Sequence, residues 1–503
     1  MIIYTKLLKF IFILASVNMY NYYINVVCFI VLLTNCGGVA MTEFLKKLLP
    51  ETSFPVLLKY HGRTSRVFSI DNDVLKEAST KEYSGISVRV WYEGVWGFAS
   101  TSNIREADIK RAIDSAVQSA KSGKKDKPGT FSKPRFVSNK GKLTVPITDP
   151  LENHSVEEKI SLVRKTAERV KSVSDKIISS SSRYTEIIDE KTMVSNYGTE
   201  ITYSDRKADF RAAAFASDGN DMELGYASFG ATGGWKELFK NRSWEKIAEE
   251  AAKIALTKLG KESPEGGVYT VVLHPSLVGV LAHEAIGHTV EADFVLSGSA
   301  AKGQLGKKVA SDLVTLVDDP VPDFWDGATG MVLVDDEGNK PKKVEVIKNG
   351  VMRSYLHDAE TAAIFDVEPT GNARAFNYSD EPIIRMRNTY IAPGESTVEE
   401  LIGSTKNGLY LKGLGGGGQA DANAEFMFGV LEAHKIENGK ITEPLREVTI
   451  SGQAFDVLRS VDAVANDFLF TLGAGYCGKH QPAKVDAGGP HLRCKVRIGG
   501  RKQ

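Results

Sequence analysis

His283-Glu284-Ala285-Ile286-Gly287-His288 brings two imidazoles and a carboxylate into one short segment. Those are the parts of a hydrolytic metal site: two neutral nitrogen ligands and a base for a metal-activated water. The spacing is unusual. Histidines at i and i+4 lie about 40° apart around a helix, whereas i and i+5 lie about 140° apart. Both rings reach one metal only if the helix unwinds, kinks or ends between them. A π-type bulge meets that need, and Gly287 lowers its backbone cost. Two ordinary core histidines are the competing reading. Against it stands the apolar run Leu277, Val278, Val280 and Leu281 just upstream. In such a helix a charged group is costly to bury unless paired or metal-bound.

A mononuclear hydrolytic zinc site usually takes three protein ligands and leaves one position open. Glu291, Asp293, Cys477 and His480 are the candidates for the third. Glu291 follows His288 by three residues and shares its side of a helix. Cys477 sits in Gly473-Ala-Gly-Tyr-Cys477-Gly-Lys-His480. A glycine-flanked loop of this kind projects a thiolate well, and a metal lowers its pKa. A lone cysteine is also often just a small buried apolar residue.

Gly413-Leu-Gly415-Gly-Gly-Gly418 matches the dinucleotide pattern GxGxxG only formally. That reading needs a helix next and an acidic residue about twenty positions on, and Gln419 to Val430 reads as loop then strand. The glycines instead suit close approach of another backbone. Gly415, Gly416, Gly417, Gly418 and Gln419 are therefore candidate contacts for an extended peptide, with a plain flexible loop as the alternative.

The elements that must position these groups follow from the rest of the chain. Its 503 residues are enough for two domains or more. Lys+Arg and Asp+Glu balance at 63 each, which argues against a nucleic-acid partner. Cys28, Cys36, Cys477 and Cys494 form no dense framework and fit a reducing compartment. The expected fold class is α+β. An N-terminal domain, 41–262, has a mixed or antiparallel sheet with packed helices. It carries a hairpin about Glu93-Gly94, a helix from Ile104 to Val117, and a capping box at Ser155 to Glu158. An exposed loop is expected from Ser122 to Lys140, β-type runs from Ile177 to Thr232, and a helix from Ser243 to Leu259. Ser263-Pro-Glu-Gly-Gly267 marks the boundary. The C-terminal domain, 263–503, reads as mostly β and carries the metal-site helix. Strands are expected at Val332–Val334, at Ile383–Ile391 and around Asn349-Gly350, and a helix over Ala454–Phe468. Residues 1–40 read as a mis-called start ahead of Met41, with a signal peptide or anchor as the other reading.

Taken together, several ordered motifs resemble the TldD/PmbA family of metallopeptidases. They are His-Glu-Ala-Ile-Gly-His with Glu-Ala-Asp-Phe after it, the Val317-Asp-Asp319 turn and Thr370-Gly-Asn372. Arg385 with Asn388-Thr-Tyr390, the glycine stretch to Gln419, and Gly475-Tyr-Cys-Gly-Lys479 complete the set. The resemblance runs from about Met41 to the C-terminus and is to the TldD type, since the partner type lacks the metal motif. It implies a zinc peptidase that cuts unfolded or flexible peptides held extended in a closed chamber. Carried onto this chain, His283, His288 and Cys477 are the metal ligands and Glu284 the general base; His480 has no counterpart. Zinc is the implied metal, with iron the alternative that a thiolate ligand also admits. The implied state is a homo- or hetero-oligomer with a metal-free paralogous subunit, in the cytoplasm and without stable membrane association. The competing class is a non-catalytic peptide-binding subunit with a structural metal.

Overall fold

Strand-forming residues dominate the first half and build one large sheet. A computed structural model describes residues 37–123, 133–420, 422–446 and 448–499. Within them, β1 (Val56–Asp71), β2 (Val74–Tyr92), β3 (Val95–Thr101), β4 (Lys140–Thr144), β5 (Ile177–Ser195), β6 (Glu200–Ser217) and β7 (Met222–Thr232) form a seven-stranded sheet. β4 joins β6 in parallel and every other pairing is antiparallel. Glu93 and Gly94 both have positive φ, 46° and 95°, the turn geometry whose twist suits a two-residue hairpin. Helices cover the sheet. The one at Val156–Ser172 opens with the expected capping box, Ser155 Oγ accepting from the Glu158 amide and Glu158 accepting from the Ser155 amide. Its Val163, Ala167 and Val170 share a core with Phe68, Tyr184 and Phe210.

The second half closes a sheet on itself. β8 (Gly267–Leu273) lies between Asn407–Ala420, which it joins in parallel, and Leu492–Gly499. Leu492–Gly499 pairs with Val448–Gln453, that strand with Glu425–Glu437, and that one returns to Asn407–Ala420. A second sheet has Leu316–Asp319, Asn388–Ile391 and Asp486–Gly489 at its centre. The helix Pro275–Val280 follows β8 directly, and its Leu277, Val278 and Val280 share one core with Val271, Leu409 and Ile391 from the two sheets. Both layers therefore hold the segment that carries His283 and His288. The two halves are also tied by buried ion pairs: Lys59 to Asp336 at 2.9 Å and Lys484 to Asp209 at 2.8 Å.

Four local expectations are corrected. Val332–Val334 is not a strand; Asp335 accepts the amides of Glu337 and Asn339 and ties the chain into a turn. Ile383–Ile391 divides into Ile383–Ile384 and Asn388–Ile391, with Arg385 and Arg387 turned inward between them. Val317-Asp-Asp319 lies in a strand rather than a turn. Over Ala454–Phe468 only Ala454–Arg459 is helical, because Ala463–Val464 pairs with Leu492–Gly499 instead. The first helix, Gly37–Leu48, begins ahead of Met41. Residues 1–36 and, within the Ser122–Lys140 loop, residues 124–132 lie outside the described residues. Among the described residues no helix is long and apolar enough to cross a membrane.

Candidate metal centre

The helix that begins at Pro275 changes its winding where the histidines require it. Pro275–Val280 is α-helical, Leu281–Gly287 takes π geometry, and His288–Val290 tightens to a 3-10 turn. The wide turn gathers residues five apart onto one side. The His283 and His288 rings lie 5.4 Å apart between centroids, at 77° to each other. Gly287 lies against Met386 so closely that a Cβ there would overlap its sulfur. Glycine is needed here for space; its φ of −53° is ordinary helical backbone, so the expected relief of backbone cost is not its role.

Cys477 comes from the short hairpin Tyr476–Lys479 and Gln481–Lys484. Arg385 fixes that hairpin through its backbone, donating from Nη2 to the Cys477 carbonyl and from Nη1 to that of Gln481, both at 2.6 Å. Donor atoms of His283, His288 and Cys477 all lie within 4.8 Å of one another, and His288 Nε2 is 3.1 Å from Cys477 Sγ. Burial opposes the thiolate, but the neighbouring His283 and His288 outweigh it and bring the thiol down to about 5. Both ring nitrogens of His283 are buried without a hydrogen-bond partner. An unsatisfied buried imidazole is destabilising in isolation; beside a second imidazole and an acidic thiol it matches what a thiophilic divalent metal takes up. The donor set therefore fits zinc.

Glu284 stands beside the cluster, its carboxylate 3.7 Å from His288 Nε2 and its side chain 36% exposed. It can meet water, unlike the fully buried Glu291. Glu291 lies behind the cluster and accepts from His288 Nδ1 at 3.0 Å. Lys479 donates to Glu291 at 3.0 Å, to Asp293 at 2.8 Å and to the Ile384 carbonyl at 3.0 Å. Of the alternatives for a third ligand, Glu291 and Asp293 are thus engaged with Lys479, and His480 is exposed on the hairpin turn at φ 57°. The supporting roles of Lys479 and Arg385 were not separable from sequence; their only signal was their place inside the recognised motifs.

The glycine stretch continues the strand Asn407–Ala420. Its register against Glu425–Glu437 slips between Leu414 and Gly418, leaving Gly415, Gly416 and Gly417 outside the regular ladder. β8 pairs only with Leu409 to Leu411; beyond them Gly413 donates to Ser276 Oγ at 2.8 Å and the Leu414 carbonyl accepts from the Tyr226 hydroxyl. For Gly416, Gly417, Gly418 and Gln419 the backbone pairing is described but the side-chain surroundings are not.

Comparison with known proteins gives a consistent result. Residues 266–500 match the PmbA/TldA metallopeptidase C-terminal domain, 149–259 its central domain and 58–120 its domain 1. A Methanothermobacter thermautotrophicus protein named a metalloprotease is 34% identical over 445 residues, covering 87% of this chain and 94% of its own. A Saccharolobus solfataricus protein named a zinc metalloprotease TldD homolog is 31% identical over 427 residues, covering 83% and 90%. Among solved structures, a Thermotoga maritima protein superposes with a TM-score of 0.75 at 21% identity, covering 91% of this chain and 100% of its own. TldE from Thermococcus kodakarensis gives 0.73 at 17% identity, covering 92% and 99%.

Proposed function

This chain belongs to the TldD/PmbA family of metallopeptidases, and on that premise we propose that it is a zinc-dependent peptidase of the TldD type. Its substrates are unfolded or flexible peptides bound in extended form. The observation that carries this reading is the convergence of His283, His288 and Cys477 beside the water-accessible Glu284. The name of the Saccharolobus solfataricus relative supports zinc as the metal.

His283, His288 and Cys477 would hold the zinc, which when bound supplies Lewis acidity towards the scissile carbonyl and the attacking water. Glu284 takes the proton from that water and returns it to the leaving amine. Its exposure lets it meet water from outside the core. Neither ring nitrogen of His283 is taken up by a hydrogen bond, so the one that carries the lone pair is free to ligate. Glu291 accepts from Nδ1 of His288, which fixes the tautomer and leaves Nε2 as the ligand atom. Lys479 balances the charge of Glu291 so that the carboxylate can stay buried.

The peptide adds as a strand along Gly415 to Gln419, beyond the point where β8 stops pairing with Asn407–Ala420. Main-chain pairing gives affinity with little demand on side chains, which suits broad specificity. A metal-free paralogous subunit and a cytoplasmic location complete the proposal. The free state of Cys477 and Cys494 supports the latter. The test is cleavage of an unstructured peptide by the purified chain, alone and with a paralogous partner, before and after a chelator. Cleavage that survives complete zinc removal contradicts the reading.

A further inference from the structure

A charged cavity lies between the two halves, beside the hairpin that carries Cys477. Residues of β1, β5 and β6 form its floor, and Asp336, Arg374 and the hairpin strand Gln481–Lys484 close it from the C-terminal half. Its volume is about 50 Å³. At about 10–15 Å³ for each water, that is room for about four waters, or for one five-atom oxyanion.

The charges around it do not balance. Arg63 pairs with Asp189, Lys207 with Asp205 and Lys484 with Asp209. Arg211, which shares Asp209, is half-exposed to solvent. Asp336 is shared by Lys191 and Lys59. His61, which also meets Asp189, is held neutral by burial. Arg374 donates to the carbonyls of Met386 and Lys484, at 2.8 and 2.6 Å, and touches no carboxylate among the described residues. Burial and the nearby Arg385 push its pKa down to about 10. Two interior positive charges are therefore left over, and buried charge without a counter-ion is costly.

Hydrogen-bonding atoms here are unsatisfied as well. Arg63 donates from Nε and Nη2 to Asp189 at 2.6 and 2.7 Å. Its Nη1, flanked by the Tyr83 and Phe376 rings, completes no hydrogen bond within the described residues. The Tyr203 hydroxyl and the neighbouring Asp205 Oδ1 complete none either. Arg63, Tyr203 and Asp205 are all more than nine-tenths buried. An oxyanion takes up the Arg63 and Tyr203 donors. An ionised carboxylate oxygen only accepts, so Asp205 Oδ1 selects an anion that still carries a proton. Inorganic phosphate keeps one as a dianion; sulfate and phosphate monoester dianions keep none.

We propose that this cavity binds inorganic phosphate as the hydrogen phosphate dianion, its hydroxyl directed to Asp205 and its other oxygens to the lining cations and Tyr203. The dianion offsets the two unmatched charges. It also links the N-terminal sheet to Arg374, and so to the Lys484 carbonyl within the Cys477 hairpin. The proposal does not depend on the peptidase reading.

Isothermal titration of the zinc-loaded full chain with inorganic phosphate tests it. One phosphate should bind per chain, at about 1 mM or below. Sulfate should bind at least about tenfold more weakly. AMP should not compete, because its phosphate lacks the proton and its nucleoside exceeds the cavity. Asp205→Asn should abolish the preference for phosphate over sulfate. Lys191→Met, which leaves Lys59 on Asp336, should weaken phosphate by about tenfold or more. Arg374→Met should do the same, so that one misfolded variant, seen by circular dichroism, does not leave the question open. A chelated chain should bind phosphate as well as the zinc-loaded one, since the cavity includes no metal ligand. No phosphate binding at about 10 mM overturns the proposal. So does equal affinity for sulfate or AMP, a phosphate preference that survives Asp205→Asn, indifference to the loss of Lys191 and Arg374, or binding that disappears on chelation.

Discussion

The carboxylate of Glu291 holds the imidazole of His288 from behind, accepting from Nδ1 at 3.0 Å while Nε2 faces Cys477 at 3.1 Å. Burial works against a charged His288, but Glu291 and Cys477 hold its pKa well above the ordinary histidine range. One ring is thus fixed at both nitrogens, and Glu291 is fixed in turn by Lys479.

Glu291→Gln removes the charge behind His288 and leaves Lys479 facing Asp293 alone. Outer partners of this kind are worth about 10–100-fold in metal affinity. The expected outcome is a loss of zinc affinity in that range, read by competition with a chromophoric chelator. Lys479→Met should cost about 3 kcal/mol of stability, because it leaves Glu291 charged and buried without its cation. Urea unfolding measures that directly.

Gly287→Ala pushes a methyl group into the Met386 sulfur. Overpacking at such a contact costs about 1–3 kcal/mol. It should also reduce zinc binding, since the wide turn it disturbs is what gathers the histidines. Combining it with Met386→Ala should recover part of the loss, so the double-mutant cycle closes with a clear coupling energy. Strict additivity would mean that the Met386 contact is not the constraint.

Three histidines away from the metal cluster, His61 and His357 buried and His274 half-buried, predict acid sensitivity. Burial lowers His61 to about 4, His357 to about 4 and His274 to about 3, each from 6.5. A depressed folded pKa means that the unfolded chain binds more protons below 6.5, so stability rises with pH. This contribution is complete above about pH 6.5. It is lost as the pH falls towards 4, at roughly 1.4 kcal/mol per pH unit for each histidine. Urea midpoints between pH 8 and pH 4.5 should fall steeply below 6.5. His61→Gln should flatten the profile in that window.

Cys477→Ala tests the third ligand. Zinc content after stoichiometric loading should drop while circular dichroism is retained. Full occupancy in this variant would remove Cys477 from the set.

Much of this was legible in residue order, and the reasons differ by residue. The i, i+5 spacing of His283 and His288 demanded a distorted helix, and π winding over Leu281–Gly287 answers that demand. Turn chemistry at Glu93-Gly94 and the cap at Ser155 are local, so a short window contains them whole. Three-body packing was not legible. Nothing near Gly287 in sequence announces Met386, and Lys479 reaches Glu291 only through the hairpin that also presents Cys477. Val332–Val334 and the middle of Ile383–Ile391 depart from strand because buried side chains draw the chain elsewhere: Asp335 ties its own turn, while Arg385 and Arg387 reach the Cys477 hairpin and Asp318. Glu291 drew notice as a ligand; its engagement with His288 Nδ1 and Lys479 gives it a supporting place instead.

The central claim is that Glu284 moves the proton in peptide-bond hydrolysis while His283, His288 and Cys477 hold the metal. The most direct measurement is the rate of cleavage of an unstructured peptide by Glu284→Ala, with zinc content determined on the same sample. The account predicts parental zinc occupancy and a rate lower by at least about 100-fold. A variant with full zinc that cleaves as fast as the parent would contradict it.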